Sequence, residues 1–184
     1  MIACSFFLLA ILLSAAPDAR AAEVVRAGRW ELHSSFWMGL HQTLMRDAAS
    51  RGERDLTGLT AEQRSAWDAA VAVYGQNAGA GSITFADAMV NLQSELTQVA
   101  DDAVTLQVAG PLADAVRQAA SVYRAHWWPL DDAANRFYIG YAAAMLRDAG
   151  GEIAARHETV YRTSLPPSIR VDITPEPGRP TVPR

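Results

Sequence analysis

The side chains best suited to chemistry are concentrated between residues 123 and 139, where aromatic residues lie beside charged and polar ones. This segment contains one candidate polar cluster: His126, Asp131, Asp132, Asn135 and Arg136. Asp131 and Asn135, like Asp132 and Arg136, are four positions apart, so each pair would share one helix face. A pair of carboxylates could supply an acid and a base. The simpler interpretation, which we favour, is a helix cap together with an intrahelical ion pair.

Three residues near the start of the chain, His33, Trp37 and His41, follow one another at four-residue steps and would lie on roughly one helix face. Two imidazoles eight positions apart are too distant to bind a single metal ion. We therefore favour a polar edge on a mostly apolar helix over a ligand role. His126, which precedes two tryptophans, is interpreted in the same way, as a hydrogen-bonded histidine of the core or its rim.

The dipeptide His157-Glu158 invites comparison with the zinc motif His-Glu-x-x-His, but Tyr161 occupies the position of the second histidine. We therefore interpret it as exposed helix surface. No glycine-rich phosphate loop occurs, and a nucleophile-elbow context is missing around three serines: Ser34, Ser35 and Ser164. The residues predict no catalytic group, no metal ligand and no cofactor in this chain.

The first 21 residues have the composition of a cleaved signal peptide, with an apolar block from Ile2 to Ala16 and a small-x-small triplet, Ala19-Arg20-Ala21. The block is shorter than the roughly 20 residues of a transmembrane helix, and no later stretch is apolar enough to cross a bilayer. Cys4 precedes the apolar centre, which argues against a lipid anchor. We expect an exported protein, periplasmic or extracellular, whose net charge of −4 argues against a nucleic-acid partner.

Apolar residues at three- and four-residue steps predict a mainly α fold, with about five or six helices in one domain from residue 22 to residue 165. Turn residues and caps predict the limits of each helix. The first three predicted helices are Arg29 to Ala49, Thr60 to Gly75 and Thr84 to Val99. A fourth begins at Pro111 and is stopped or kinked by Pro129. A fifth is capped by Asp131 or Asp132 and ends at Gly150-Gly151, and a last one covers Glu152 to Tyr161.

The end of the chain has a different pattern. Ile169, Val171 and Ile173 alternate with polar residues, as in a half-buried strand, but no partner strand is evident. Residues 166–174 are therefore predicted to be a linker with an isolated strand, and the proline-rich residues 175–184 a disordered tail. The strand either docks on the helices as an extended segment or precedes a sheet domain that is missing.

Four motifs together carry a family resemblance: Phe36-Trp37-x-x-Leu40-His41, Gly58-Leu59-Thr60-Ala61-Glu62-Gln63-x-x-x-Trp67, Val122-Tyr123-Arg124-Ala125-His126-Trp127-Trp128-Pro129 and Asp132-x-x-Asn135-Arg136. With them the chain resembles a poorly characterised family of exported bacterial proteins. The resemblance implies that the strand at residues 169–173 leads into a further portion with a His-Glu-x-x-His helix, typical of zinc metallopeptidase-like domains. Asp131 and Gln42 stand where the family has histidines, and the tail replaces the continuation after Thr174.

Two functions follow as expectations. The first is that the chain is the helical portion of an exported metallopeptidase-like protein, catalytically inactive because a truncation, a frameshift or a misplaced stop has removed the zinc motif. Zinc would then belong only to the missing C-terminal part. The alternative is a self-contained exported helical module that binds a protein or peptide partner through the surface of His126, Trp127 and Trp128.

Overall fold

The computed structural model describes residues 24–50, 54–77 and 86–174. In these residues it contains five helices and three short strands, which confirms the predicted mainly α fold. The predicted signal peptide, the Thr84 cap and the proline-rich tail lie outside the described residues. The elements in chain order are β1 (Val25–Ala27), β2 (Trp30–His33), α1 (Phe36–Ala49), α2 (Ala61–Gln76), α3 (Asp87–Leu96), α4 (Pro111–His126), α5 (Trp128–Tyr161) and β3 (Ile169–Asp172).

The helix predicted to begin at Arg29 begins at Phe36 instead, because the preceding residues form the hairpin β1–β2. Gly28 allows the hairpin turn, since its φ of 64° lies in the region that favours glycine. Ser35 then caps α1, where its side chain accepts a hydrogen bond from the Met38 amide. His33 is therefore a strand residue, and the prediction that it shares a helix face with Trp37 and His41 is wrong.

The C-terminal strand is not isolated, in contrast to the prediction. β3 lies parallel to β2, with Leu32 opposite Val171 and His33 opposite Asp172, and the sheet order is β1-β2-β3. The Ile173 amide donates to the His33 carbonyl at 2.9 Å. The prediction failed because the residues of the partner strand have the spacing of the first turns of a helix.

The two helices predicted on either side of Gly150-Gly151 are one continuous helix, α5, of 34 residues. Gly150 packs against the indole of Trp30, where an added Cβ would lie 2.7 Å from Nε1. The glycine thus permits close packing of α5 on β2, and it does not end the helix.

Pro129 does not end or kink the fourth helix in the way that was predicted, because α4 already ends at His126. Pro129 lies in the first turn of α5, where a missing amide hydrogen costs nothing. Asp131 and Asp132 lie inside α5 as well, so neither of them is the predicted N-cap. By contrast, the capping box of Thr60 and Gln63 at the start of α2 is present as predicted.

Two apolar clusters hold the fold together. The larger one lies among the four helices α1, α2, α3 and α4, and its largest fully buried side chains include Phe36, Trp67, Tyr74 and Tyr123. The smaller one lies between the sheet and the middle of α5, and its buried members are Ala27, Leu32, Ile139 and Ala143. α5 thus connects the helical body to the sheet. None of the helices in the described ranges is long and apolar enough to cross a membrane.

Candidate functional site

The predicted polar cluster forms in part, and its centre is Ser34, which lies between β2 and α1. The Ser34 hydroxyl donates to Asp132 Oδ1 at 2.8 Å and accepts from Asn135 Nδ2 at 3.1 Å. Arg136 Nε donates to the other Asp132 oxygen at 2.8 Å, so the predicted intrahelical ion pair is present. This Ser34 cluster (Ser34, Asp132, Asn135 and Arg136) fastens the start of α5 to the end of the sheet.

Asp131 is directed to a different partner and does not pair with Asn135 in the way that the spacing predicts. Its Oδ2 accepts a hydrogen bond from the Tyr123 hydroxyl at 2.7 Å. Burial raises the pKa of Asp131, although the hydrogen bond from Tyr123 and the charges of Arg54 and Arg46 act in the opposite direction. Burial and the neighbouring Asp131 raise the pKa of Tyr123. The pair links α4 to α5 within partly apolar surroundings.

His126 does not join the cluster, because it is exposed at the end of α4. Its ring contacts Trp127, whose own ring centroid lies 4.6 Å from that of Trp67. The guanidinium of Arg54 also packs on Trp127, 4.8 Å from the ring centroid. Trp128 packs edge-on against Phe36 at 5.4 Å. Both indoles are half-buried in the helical body. His126 lies at the rim of the core, which was one of its two predicted positions, and not inside the core.

A second polar group, the His33 network, lies where β2, β3 and the segment after α3 meet. His33 Nδ1 is 2.7 Å from Asp101 Oδ2, and Arg170 Nη2 donates to the other Asp101 oxygen at 2.8 Å. Arg170 also forms two hydrogen bonds with Asp172 and donates to the Thr97 carbonyl. Asp101 and Arg170 were missed because the contact joins positions nearly 70 residues apart in the chain. The only feature of the sequence that pointed to this network was the strand alternation, which puts Arg170 and Asp172 on one face.

An aspartate paired with Nδ1 orients an imidazole as in hydrolases, with Nε2 as the atom that would accept a proton. Here His33 Nε2 is buried and has no hydrogen-bond partner. Neither Ser34 nor any other described hydroxyl is bonded to it. The network therefore holds β3 and the segment after α3 on the helical body, and it activates no nucleophile among the described residues.

His41 lies fully buried inside the larger apolar cluster, so the prediction of a polar helix edge is wrong. Its Nδ1 is 2.8 Å from the Tyr74 hydroxyl, and burial lowers the pKa of His41 to about 4. Trp37 is buried as well, and its indole donates to the Ala103 carbonyl at 2.9 Å. These side chains fix α1 against its neighbours as neutral groups.

His157 and Glu158, predicted to be exposed, are half-buried near the end of α5. Glu158 accepts hydrogen bonds from the Leu165 amide and from Arg29, both at 3.0 Å. The amide of Leu165 and then Arg29 hold the pKa of Glu158 below its usual value. Glu158 thus positions the segment that leads from α5 to β3.

The polar side chains of the described residues form two main groups, the Ser34 cluster and the His33 network. Among them, no group of three or more histidine, cysteine, aspartate or glutamate side chains could hold a metal ion. A groove of about 220 Å³ between the hairpin turn and α5 is lined by Arg29, Trp30 and Arg147. It is smaller than the roughly 300–1,000 Å³ of typical ligand pockets. The sequence matches no protein-family model, and comparisons with curated proteins and with solved structures find no match.

Proposed function

We propose that this chain is the non-catalytic helical portion of an exported metallopeptidase-like protein, in which β3 is the strand on which a further sheet is built. One observation carries the proposal. β3 lies at the edge of the sheet and is held firmly to the helical body, while no strand in the described part of the chain pairs with its outer side.

The attachment of β3 uses both backbone and side chains. The amides of Ile169 and Ile173 donate to carbonyls of the β2 region at 2.7 and 2.9 Å. Arg170 adds contacts to Asp101 and to the Thr97 carbonyl, in the segment after α3. A strand fixed in this way provides a rigid template.

The free edge of β3 is suited to strand addition. Successive residues of a strand direct their amides to opposite sides, so the amides of Arg170 and Asp172 point away from β2. Unpaired edge groups favour pairing with a further strand. The family resemblance would give this edge a role, because it implies that the strand leads into a further portion with a zinc helix.

The described residues do not fit a zinc site of their own. Asp131 is bonded to Tyr123, and the buried imidazoles of His33 and His41 are each held by a different partner. Any zinc would belong to the further portion, where it would polarise water for attack on a carbonyl. This chain would then contribute a rigid wall beside that site.

The geometry gives less support to the alternative, a self-contained module that binds through His126, Trp127 and Trp128. The two indoles are half-buried against Trp67 and Phe36, so little of either ring remains for a partner.

The test is to sequence the gene across and beyond codon 184, to express the longest continuing frame, and to measure bound zinc in both products by mass spectrometry. We expect a His-Glu-x-x-His motif downstream, about one zinc ion in the longer chain and none in the 184-residue chain. Absence of the motif in all three frames would refute the proposal. So would stoichiometric zinc in the 184-residue chain.

A further inference from the structure

The outer face of α5 carries a row of exposed apolar side chains that the sequence pattern did not single out. We call it the outer stripe: Leu130, Phe137, Tyr138, Tyr141 and Met145. Phe137 is 74% exposed and Tyr141 65% exposed. The buried residues of α5, among them Asn135, Ile139 and Ala143, lie on the opposite side of the helix.

An extension of the sheet beside β3 would leave the outer stripe open. α5 packs on the sheet through Ile139 and Ala143, and its other neighbours are α1 and α4. A strand added beside β3 would continue in the plane of the sheet, whereas the outer stripe points away from that plane. The stripe therefore needs a different partner.

The stripe is large enough to form the apolar centre of a protein interface. Its five side chains are on average about two-thirds exposed, and at about 200 Å² for each large side chain they expose roughly 600 Å². The largest apolar patch on an ordinary monomer is about 300–600 Å². A stable interface buries about 800 Å² on each partner, of which the stripe would supply roughly three quarters.

We propose that the outer stripe pairs with the same stripe of a second copy of this chain, with the two α5 helices antiparallel and the two-fold axis near Tyr141. Two-fold dimers are the commonest oligomers, and their interfaces are self-complementary. In this register Phe137 of one copy faces Met145 of the other, a favourable aromatic–sulfur contact. Tyr141 then packs against its own symmetry mate.

The charges that follow the stripe fit this register. Asp148 and Glu152 continue the same helix face beyond Met145, and both are exposed. The antiparallel register brings Glu152 opposite Leu130 of the second copy, in the first turn of its α5. The dipole of a helix favours an anion near its N-terminus.

The test uses protein expressed from all 184 residues of the sequence, with light scattering after size exclusion and analytical ultracentrifugation. We expect dimers to form as the protein concentration is raised to about 100 µM, as for a dimer with a Kd in the micromolar range. Phe137→Glu and Met145→Arg should each weaken the dimer at least tenfold, because each buries an unpaired charge. The control Val104→Glu, at an 80% exposed apolar residue between α3 and α4, should leave the dimer unchanged.

Mixing the two variants tests the register itself. In the mixed dimer the new glutamate and arginine face each other once, and the other Phe137–Met145 contact is native, so dimers should reappear. A chain that stays monomeric at all concentrations overturns the proposal, as does a dimer that neither variant weakens or a mixture that stays monomeric. Monomers that co-sediment with phospholipid vesicles would assign the stripe to a lipid surface instead. None of these changes touches β3, so the outcome is independent of the zinc experiment.

Discussion

Replacing the two adjacent glycines of α5 by alanine, one at a time, should change the free energy of unfolding in opposite directions. Both substitutions gain about 1 kcal/mol of helix propensity. At Gly151 nothing lies within 4 Å of the added Cβ, so Gly151→Ala should stabilise the protein by about 0.5–1 kcal/mol. At Gly150 the added Cβ would lie 2.7 Å from Trp30 Nε1 and 3.0 Å from its Cδ1.

Overpacking of this kind typically costs about 1–3 kcal/mol. Trp30 is a half-buried residue of β2, and its indole must shift to make room for the added Cβ. The overlap should therefore outweigh the gain of about 1 kcal/mol in propensity, and Gly150→Ala should lower the free energy of unfolding by up to about 2 kcal/mol. The two variants differ in position by a single residue, so each is the control for the other.

Urea unfolding followed by circular dichroism measures both effects as shifts of the midpoint at constant slope. A double-mutant cycle identifies the cause: in a Trp30→Leu background, Gly150→Ala should become stabilising, like Gly151→Ala. If both alanines raise the midpoint equally in the unmodified chain, then Trp30 does not pack on Gly150. Close packing against β2 would then not be the reason why α5 contains a glycine at this position.

Two further predictions concern the polar groups. Arg170→Met should destabilise the protein by about 3 kcal/mol and speed hydrogen exchange in β3, because it leaves buried Asp101 without its cation. In the same urea titration the control Arg147→Met, at an exposed arginine, should change stability by less than about 0.5 kcal/mol. Equal effects of the two substitutions would contradict the role of Arg170 in anchoring β3. Because the pKa of His41 is lowered to about 4 in the folded chain, between about pH 6.5 and pH 4 the imidazole binds a proton in the unfolded chain but not in the folded one. Stability should be complete above about pH 6.5 and fall by up to about 3 kcal/mol toward pH 4. His41→Gln should remove that part of the slope, and an unchanged pH profile would count against burial as its cause.

Local signals predicted most of the helical architecture. The capping box of Thr60 and Gln63 and the buried positions of α1, α2 and α4 depend on neighbours within a few residues, so they are visible in the sequence. The hairpin was missed because Leu32 and Phe36 are also four positions apart, which imitates a helix face. A strand of only four residues is too short to contradict that pattern.

The polar sites were predicted less well, because their partners are distant in the sequence. Asp132 and Arg136 pair within one helix turn and were foreseen. Asn135 reaches Ser34 across about 100 positions, and His33 reaches Asp101 through the folded sheet. Gly150 illustrates the same limit, since a glycine that permits close packing looks in the sequence like one that ends a helix.

The pairing of β2 with β3 also sets an order of events in folding. The two strands lie about 140 positions apart, nearly the whole length of the described chain, so closing the sheet carries a large loop-closure entropy. The helices between them form contacts of shorter range and can assemble earlier. At about 5–20 residues per second, a ribosome would complete β3 several seconds or more after β2. Until then the hairpin has an open edge, and we expect the sheet to close after the helices of the described chain have packed together.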